Sequence, residues 1–173
     1  MSRWRYYFAY GSNMLPARLR ERTPSAACLG AACLPGHRLA FNHVSRGDGS
    51  AKCNIAATQA GGDRVWGVVY SLPVKEQPVL DRAESLGSGY LIENRRVEMG
   101  GDRVDVFCYV AVPGTLDDRA RPFWWYRDIV LAGARQHCFP ESYIHAIARE
   151  VAIDDPDARR AAHHRKLLQL AQH

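Results

Sequence analysis

The order in which β-prone and helical segments follow one another along this chain limits the folds that it can adopt. Residues of high β-propensity fill most of the first two thirds, and helical patterns take over in the last third. Strands that do not alternate regularly with helices favour an α+β domain over a doubly wound parallel sheet. A small mixed β-barrel, closed or nearly closed, with peripheral helices would also remove the exposed sheet edges. The predicted strands are residues 4–10, 27–34, 38–42, 54–58, 65–71, 90–99 and 103–112.

The predicted helices complete the organisation of the chain. Short helices are predicted at residues 16–22 and 78–85, and longer ones at residues 125–137 and 141–151. Pro156 and Asp157 then open a final basic helix. A chain of 173 residues, of which 47% are hydrophobic, is typical of one compact domain. We therefore predict one domain over residues 1–155 and a basic C-terminal helical tail over residues 156–173.

The distribution of charge argues against a nucleic-acid partner. The formal net charge is +5, but the basic excess lies mostly at the two ends, in residues 1–22 and 159–173. A nucleic-acid-binding surface usually carries its basic residues as a stripe, often with aromatic residues between them. No apolar run approaches the roughly 20 residues needed to span a bilayer, and the start of the chain has no cleavable apolar region. We therefore expect neither nucleic-acid nor membrane binding, and a cytoplasmic location.

Common signatures of metal, cofactor and hydrolase chemistry are missing from the sequence. The five cysteines include no Cys-x-x-Cys pair, and the seven histidines include no His-Glu-x-x-His segment. There is also no Gly-x-Gly-x-x-Gly after a strand, no Walker loop and no Gly-x-Ser-x-Gly elbow. The sequence therefore predicts neither a metal nor a cofactor, and it disfavours dinucleotide, P-loop and common serine-hydrolase chemistry.

The first candidate site is the turn at which strand 4–10 stops. The segment Tyr7-Phe8-Ala9-Tyr10-Gly11-Ser12-Asn13-Met14 passes directly from a hydrophobic strand into a Gly-Ser-Asn turn. Such a junction directs successive backbone N–H groups into one concavity, and glycine lets a ligand approach the main chain closely. The turn is therefore suited to bind a carboxylate or a developing oxyanion, although the same residues also form ordinary turns.

The second candidate is Glu84. It lies at the end of predicted helix 78–85, just before Gly87-Ser88-Gly89. A carboxyl group held there at the rim of a pocket can act as a general base and then as a general acid. In isolation Glu84 would be read as a solvated helix-end residue, so its significance depends on meeting the first turn across a shared pocket.

Together these elements resemble the γ-glutamylcyclotransferase family. The resemblance covers about residues 4–150, and the Tyr-Gly-Ser-Asn segment combined with the glutamate is its most discriminating part. Asn13-Met14 is more similar to the branch that acts on γ-glutamyl amino acids or amines than to the glutathione-specific branch. Residues 42–52, residues 113–123 and the tail after Asp154 depart from the pattern, which leaves the departing group open. The other matching elements are Arg18, Arg22, Pro24, Ser25, residues 65–70, Leu80-Asp81, Gly89-Tyr90, Gly133-Ala134 and residues 140–143.

The resemblance implies an enzyme that cyclises a γ-glutamyl amide to 5-oxoproline and expels an amino acid or amine, without metal or cofactor. Glu84 would be the proton acceptor and then the proton donor, in a reaction of glutathione metabolism. The partner would be a small γ-glutamyl substrate, and a homodimer stays open. The implied substrate-binding residues are Tyr7, Phe8, Ala9, Tyr10, Gly11, Ser12, Asn13, Tyr90, Tyr126 and Tyr143.

Two alternatives share the same features. A γ-glutamylamine cyclotransferase would differ only in the group that departs. A non-catalytic small-ligand or interaction module on the same fold would have lost the chemistry, and the presence of Glu84 disfavours it.

Overall fold

The computed structural model describes residues 3–171, and within them the strands are close to those predicted. The residues at the extreme ends of the predicted domain and tail, 1–2 and 172–173, lie outside this range. The strands are β1 (Trp4–Ala9), β2 (Ala27–Pro35), β3 (His37–Val44), β4 (Ala51–Ala57), β5 (Arg64–Pro73), β6 (Tyr90–Met99) and β7 (Asp102–Ala111).

The helices surround these strands. Short 3-10 helices occur at Ser12–Met14 and Pro113–Thr115. The α-helices are α1 (Pro16–Arg20), α2 (Gln77–Ala83), α3 (Trp124–Gln136), α4 (Glu141–Ala148) and α5 (Ala158–Leu170). No helix within residues 3–171 has the length and apolar character needed to cross a membrane.

Five strands close into the barrel that the sequence favoured, in the order β1-β5-β2-β6-β7. β1 pairs antiparallel with β5, and a parallel pairing of Tyr7 with Phe107 of β7 closes the barrel. The predicted α+β class and closed mixed barrel are therefore confirmed. β1 and β5 approach closely at Gly67, where an added Cβ would lie 2.5 Å from both Ala9 O and the Phe8 ring. Glycine at this position thus lets the Phe8 ring pack over β5.

β3 and β4 leave the barrel and form a separate two-stranded sheet. Both strands are longer than predicted, because their pairing runs from His37 opposite Ala57 to Val44 opposite Ala51. This pairing carries Lys52 and Cys53 into a strand although they were predicted to precede one. The hairpin contacts α3 through β4, because the main-chain N–H of Cys53 donates to the Tyr126 hydroxyl at 3.0 Å.

α5 packs against the body of the protein through an apolar and aromatic face. The His164 ring stacks on Trp125 of α3 with centroids 3.8 Å apart, and Leu167 joins the main hydrophobic core. Asp157 caps the start of the helix by accepting from the main-chain N–H groups of Arg159 and Arg160, each at 3.0 Å. The basic segment at the C-terminal end thus has a buried side as well as a charged one.

Two buried histidines, His43 and His164, make stability depend on pH. Burial lowers the pKa of His43 to about 4 and that of His164 to about 3, and nearby positive charges add to both shifts. The two histidines take up protons near pH 6.5 in the unfolded chain, whereas they stay neutral at that pH in the folded protein. Their contribution to the unfolding free energy is therefore complete above pH 6.5, and it is lost as the pH falls toward their pKa values in the folded protein. Each histidine should change the unfolding free energy by up to about 1.4 kcal/mol per pH unit in this window.

Urea unfolding measured across this pH window checks that expectation. His164→Gln should flatten the pH dependence relative to the unmodified chain. His145→Gln is the matched control, because the His145 side chain on α4 is 66% exposed. Equal slopes for the His164 variant and the unmodified chain would contradict the expectation.

Candidate active site

The turn that follows β1 lies between the β3–β4 hairpin and α3. The N–H of Met14 donates to Gly11 O at 3.0 Å, so the N–H groups of Gly11, Ser12 and Asn13 precede the first hydrogen bond of the 3-10 helix. A Cβ on Gly11 would lie 3.1 Å from Cys53 Cβ and 3.2 Å from the Tyr126 hydroxyl. Glycine is therefore what allows the main chain to pass this close to the hairpin and α3.

Glu84 lies at the C-terminal end of α2, which stops in a Schellman-type turn. Ser85 has a φ of 51°, and its N–H donates to Arg82 O at 3.1 Å. The next N–H, that of Leu86, donates to Asp81 O at 2.9 Å, which completes the motif. The end of α2 is thus fixed by the backbone, and the Glu84 side chain, 16% exposed, is directed to the first turn.

The structure brings Glu84 and the first turn together. Asn13 Nδ2 donates to Glu84 Oε1 at 2.9 Å and also lies 3.0 Å from the Tyr7 hydroxyl. Arg22 Nη1 donates to the same Glu84 oxygen at 2.9 Å and to Asn13 Oδ1 at 2.9 Å. Among residues 3–171 no hydrogen bond reaches Glu84 Oε2. One carboxylate oxygen is therefore anchored, and the other is available to a ligand.

Arg22 is a site residue that was predicted only as a matching element of the family resemblance, without a role of its own. A usable signal was present: Arg18 and Arg22 are four residues apart, directly after the turn, so a helix places them on the same side. What the sequence could not supply was the partner, because Glu84 is 62 positions away from Arg22.

Most of the predicted residues surround one small cavity, of about 30 Å³. Phe8 and Ala9 do not line it, since both are fully buried in the core. Because the cavity is small, a substrate that reaches Glu84 has to extend beyond it. The predicted residues that line it are Glu84, Tyr7, Tyr10, Gly11, Ser12, Asn13, Tyr90 and Tyr126, and they are joined by Cys53 and Tyr109, which were not predicted.

The hydroxyl groups of the tyrosines fall into two kinds. Tyr10 donates to Tyr109 O, and Tyr90 donates to Cys53 O at 2.7 Å, so both protons are engaged. The Tyr7 hydroxyl instead accepts from Asn13, and the Tyr126 hydroxyl accepts from the Cys53 N–H. The Tyr7 hydroxyl therefore keeps its proton for donation to a ligand, whereas the Tyr126 hydroxyl also interacts with the Cys53 side chain.

Burial keeps these groups neutral. It raises the pKa of the Tyr7 hydroxyl well above its ordinary value, and the charge of Glu84 adds to the shift. Burial likewise raises the pKa of Tyr126 well above the ordinary value and that of the Cys53 thiol to about 12. Tyr7 and Tyr126 are thus neutral at physiological pH, and Cys53 is a protonated thiol unsuited to nucleophilic attack. Within the described residues no group of three or more His, Cys, Asp or Glu side chains is arranged to hold a metal ion.

Tyr143 does not line the cavity that contains Glu84. Its ring packs edge-on against Phe139 with centroids 6.0 Å apart, and its hydroxyl lies 3.4 Å from Trp66 O. It lines a separate cavity, of about 290 Å³, together with residues such as Arg38 and Phe41 of β3. The structure therefore does not bring Tyr143 to the cavity that contains Glu84.

Sequence comparison relates the chain to proteins of known activity. The family model described as "Gamma-glutamyl cyclotransferase, AIG2-like" matches residues 7–127. Human gamma-glutamylcyclotransferase is 34% identical over 142 residues, which cover 79% of this chain and 73% of the human protein. The mouse protein of the same name is 32% identical over the same length, with the same shares of each chain covered.

Solved structures extend the likeness to almost the whole chain. A structure named "Gamma-glutamyl cyclotransferase" has a TM-score of 0.81 and 26% identity, and covers 94% of this chain and 99% of its own. The crystal structure of an uncharacterised human protein has a TM-score of 0.84 and 26% identity, and covers 97% of this chain and 99% of its own. The matched range, residues 7–127, includes the turn, Arg22, Glu84 and Tyr126, and it ends before α4 and α5.

Proposed function

The chain belongs to the γ-glutamyl cyclotransferase, AIG2-like family and is a γ-glutamylcyclotransferase, and from this premise we propose that Glu84 carries both proton transfers of the reaction. The reaction converts a γ-glutamyl amide to 5-oxoproline and releases the amine or amino acid. The observation that supports this role is the carboxylate with one anchored oxygen and one oxygen that no hydrogen bond reaches within residues 3–171, beside the turn formed by Gly11, Ser12 and Asn13.

The first step is attack by the substrate's own α-amine. That amine is largely protonated at neutral pH, so Glu84 Oε2 has to take a proton before the nitrogen lone pair can attack the γ-carbonyl carbon. The new C–N bond closes a five-membered ring. Because nucleophile and carbonyl belong to one molecule, a substrate held in the folded shape gains the advantage of tethered reactants.

Attack places negative charge on the former amide oxygen, and the site offers donors for it. Gly11, Ser12 and Asn13, whose N–H groups precede the first hydrogen bond of the 3-10 helix, line the same cavity as Glu84, and so do the hydroxyl-bearing Tyr7 and Tyr126. The same groups can hold the substrate's α-carboxylate. We propose that these donors together stabilise the oxyanion and bind the α-carboxylate of the substrate.

Collapse of the intermediate breaks the original amide C–N bond. An amide anion is a poor leaving group, so the nitrogen must be protonated as it departs. Glu84 gains one proton from the α-amine in the first step and gives it to the departing nitrogen in the second. The ring nitrogen still carries two protons at that point, so Glu84 takes the second one as the lactam forms and releases it to solvent, which restores the carboxylate. One carboxyl group is therefore sufficient for the cycle.

We also place this reaction in glutathione metabolism and in the cytoplasm. All five cysteines are free, including the exposed Cys28 and Cys138, which suits a reducing compartment. A γ-glutamyl small molecule is the partner that the reaction requires.

The experiment for the function compares two isomeric dipeptides. With γ-glutamyl-L-alanine, the protein should release 5-oxoproline and alanine in equal amounts. With α-glutamyl-L-alanine, it should release no alanine, because the α-amine cannot form a five-membered ring by attacking that amide. Release of glutamate instead of 5-oxoproline would identify water as the nucleophile, and binding without product would favour a non-catalytic module.

A further inference from the structure

A second cavity, of about 80 Å³, adjoins the active site on the basic side of Glu84. We call it the basic cavity; its distinguishing residues are Arg18, Arg22, His43 and Lys52. It shares Ser12, Glu84, Tyr90 and Tyr126 with the cavity described above. A substrate that extends past Glu84 can therefore continue into it.

The cations of the basic cavity differ in how far they are already paired. Lys52 Nζ lies 2.7 Å from Asp48 Oδ2, and Arg22 is bound to Glu84. Arg18 has a weaker set of partners: its Nη1 is 3.2 Å from His164 Nδ1 and 4.0 Å from Glu21 Oε2. Arg18 Nε is buried and has no hydrogen-bond partner within residues 3–171. Because Arg18 lines the basic cavity and its guanidinium has an unused donor, this residue is suited to bind an anion there.

The surroundings keep Arg18 in place and charged. Its side chain is 12% exposed, and the His164 ring that accepts from it is itself stacked on Trp125. Burial lowers the pKa of Arg18 to about 10, with a further lowering by Arg22, so the guanidinium keeps its charge at neutral pH. His43 in the wall stays neutral and does not compete for an anion.

The chemistry of the reaction identifies which anion fits. Glu84 has to protonate the departing nitrogen, so that nitrogen lies against the boundary between the two cavities. In a γ-glutamyl amino acid, the carboxylate carbon of the departing residue is only about 2.5 Å from this nitrogen by covalent geometry. A departing simple amine would instead bring an uncharged group to three cations.

We propose that Arg18, together with Lys52 in the wall of the same basic cavity, binds the carboxylate of the departing amino acid and so selects γ-glutamyl amino acids over γ-glutamyl amines. This proposal depends on the proposed function of Glu84. Lys52 and His43 come from residues 42–52 and His164 from the tail, the segments whose sequence departs from the family pattern. Arg18 itself matches the family pattern, so what differs in this chain is the set of residues that surround it.

The test uses γ-glutamyl-L-alanine and γ-glutamyl-ethylamine, which differ only in the carboxylate of the departing group. The unmodified protein should have a kcat/KM at least about 10-fold higher for the alanine compound, as expected of a charge-assisted contact. Arg18→Met should lower kcat/KM for the alanine compound about 10- to 100-fold more than for the ethylamine compound. Arg18→Lys should recover part of the preference.

Arg20→Met is the matched control, because Arg20 lies on the same helix and is exposed. It should keep the preference of the unmodified protein. Equal losses for both substrates in Arg18→Met would overturn the proposal and assign Arg18 to the glutamyl part. If Arg18→Met does not fold, inhibition of the unmodified protein by L-alanine and by ethylamine is measured instead. L-alanine should inhibit the reaction more strongly than ethylamine, and equal inhibition overturns the proposal. Absence of 5-oxoproline from both substrates would instead contradict the proposed function itself.

Discussion

Glu84→Gln should lower the rate of 5-oxoproline release by at least about 10³-fold, because general base and general acid assistance are lost together and each typically contributes 10²- to 10⁴-fold. The substituted amide keeps an oxygen that can accept from Asn13 and Arg22, so the fold and the substrate pocket should persist. The measurement is 5-oxoproline formed from γ-glutamyl-L-alanine at saturating substrate. A fall in kcat with little change in KM is the expected pattern.

Two further proteins make the result for Glu84 interpretable. Glu141→Gln is the control, because Glu141 begins α4 and its side chain is 82% exposed. It should retain full turnover. Glu84→Asp keeps the carboxylate but shortens the side chain by one methylene. Its turnover rate should therefore lie between those of the unmodified protein and Glu84→Gln. Turnover of Glu84→Gln close to that of the unmodified protein would show that another group is the base.

Arg22→Met should reduce kcat/KM about 100-fold, the scale expected when a catalytic group is displaced by about 1 Å. Arg22 provides one of the two N–H donors that hold Glu84 Oε1 and also holds Asn13 Oδ1. The ion pair is mostly buried, with the side chains of Arg22 and Glu84 19% and 16% exposed. Removing the cation leaves a carboxylate without its countercharge, so the unfolding free energy should also fall by about 2 kcal/mol.

A double-mutant cycle separates the two effects. In the Glu84→Gln background, Arg22→Met leaves no buried carboxylate without its countercharge. This substitution should therefore lower the unfolding free energy clearly less there than in the unmodified protein. Arg20→Met, an exposed change on the same helix, should leave both activity and unfolding midpoint near their original values. If Arg22→Met destabilised both backgrounds equally, the ion pair with Glu84 would not be the source of the effect.

The comparison of sequence and structure shows which properties are encoded locally. The β-prone segments, the Gly-Ser-Asn turn and the helix that ends at Glu84 depend on propensities and turn chemistry within a few residues, and the structure has each of them. Their boundaries shifted where pairing extended a strand, as in β4, which starts at Ala51. The resemblance to the γ-glutamylcyclotransferase family, carried by these local patterns, is confirmed by the family match.

The tertiary structure decided how these pieces meet. Barrel closure and the Schellman-type turn after α2 bring Glu84 to Asn13, which lies 71 positions earlier, and to Arg22. The same packing takes Tyr143 to a separate cavity, although its local pattern resembled that of a substrate-binding residue. Strand and helix signals specify the direction of a side chain relative to its own backbone, whereas the groups it contacts depend on long-range pairing and packing that no local pattern contains. Local sequence patterns thus specify the strands, helices and chemical groups of the protein, and the closed barrel specifies which of these groups share a site.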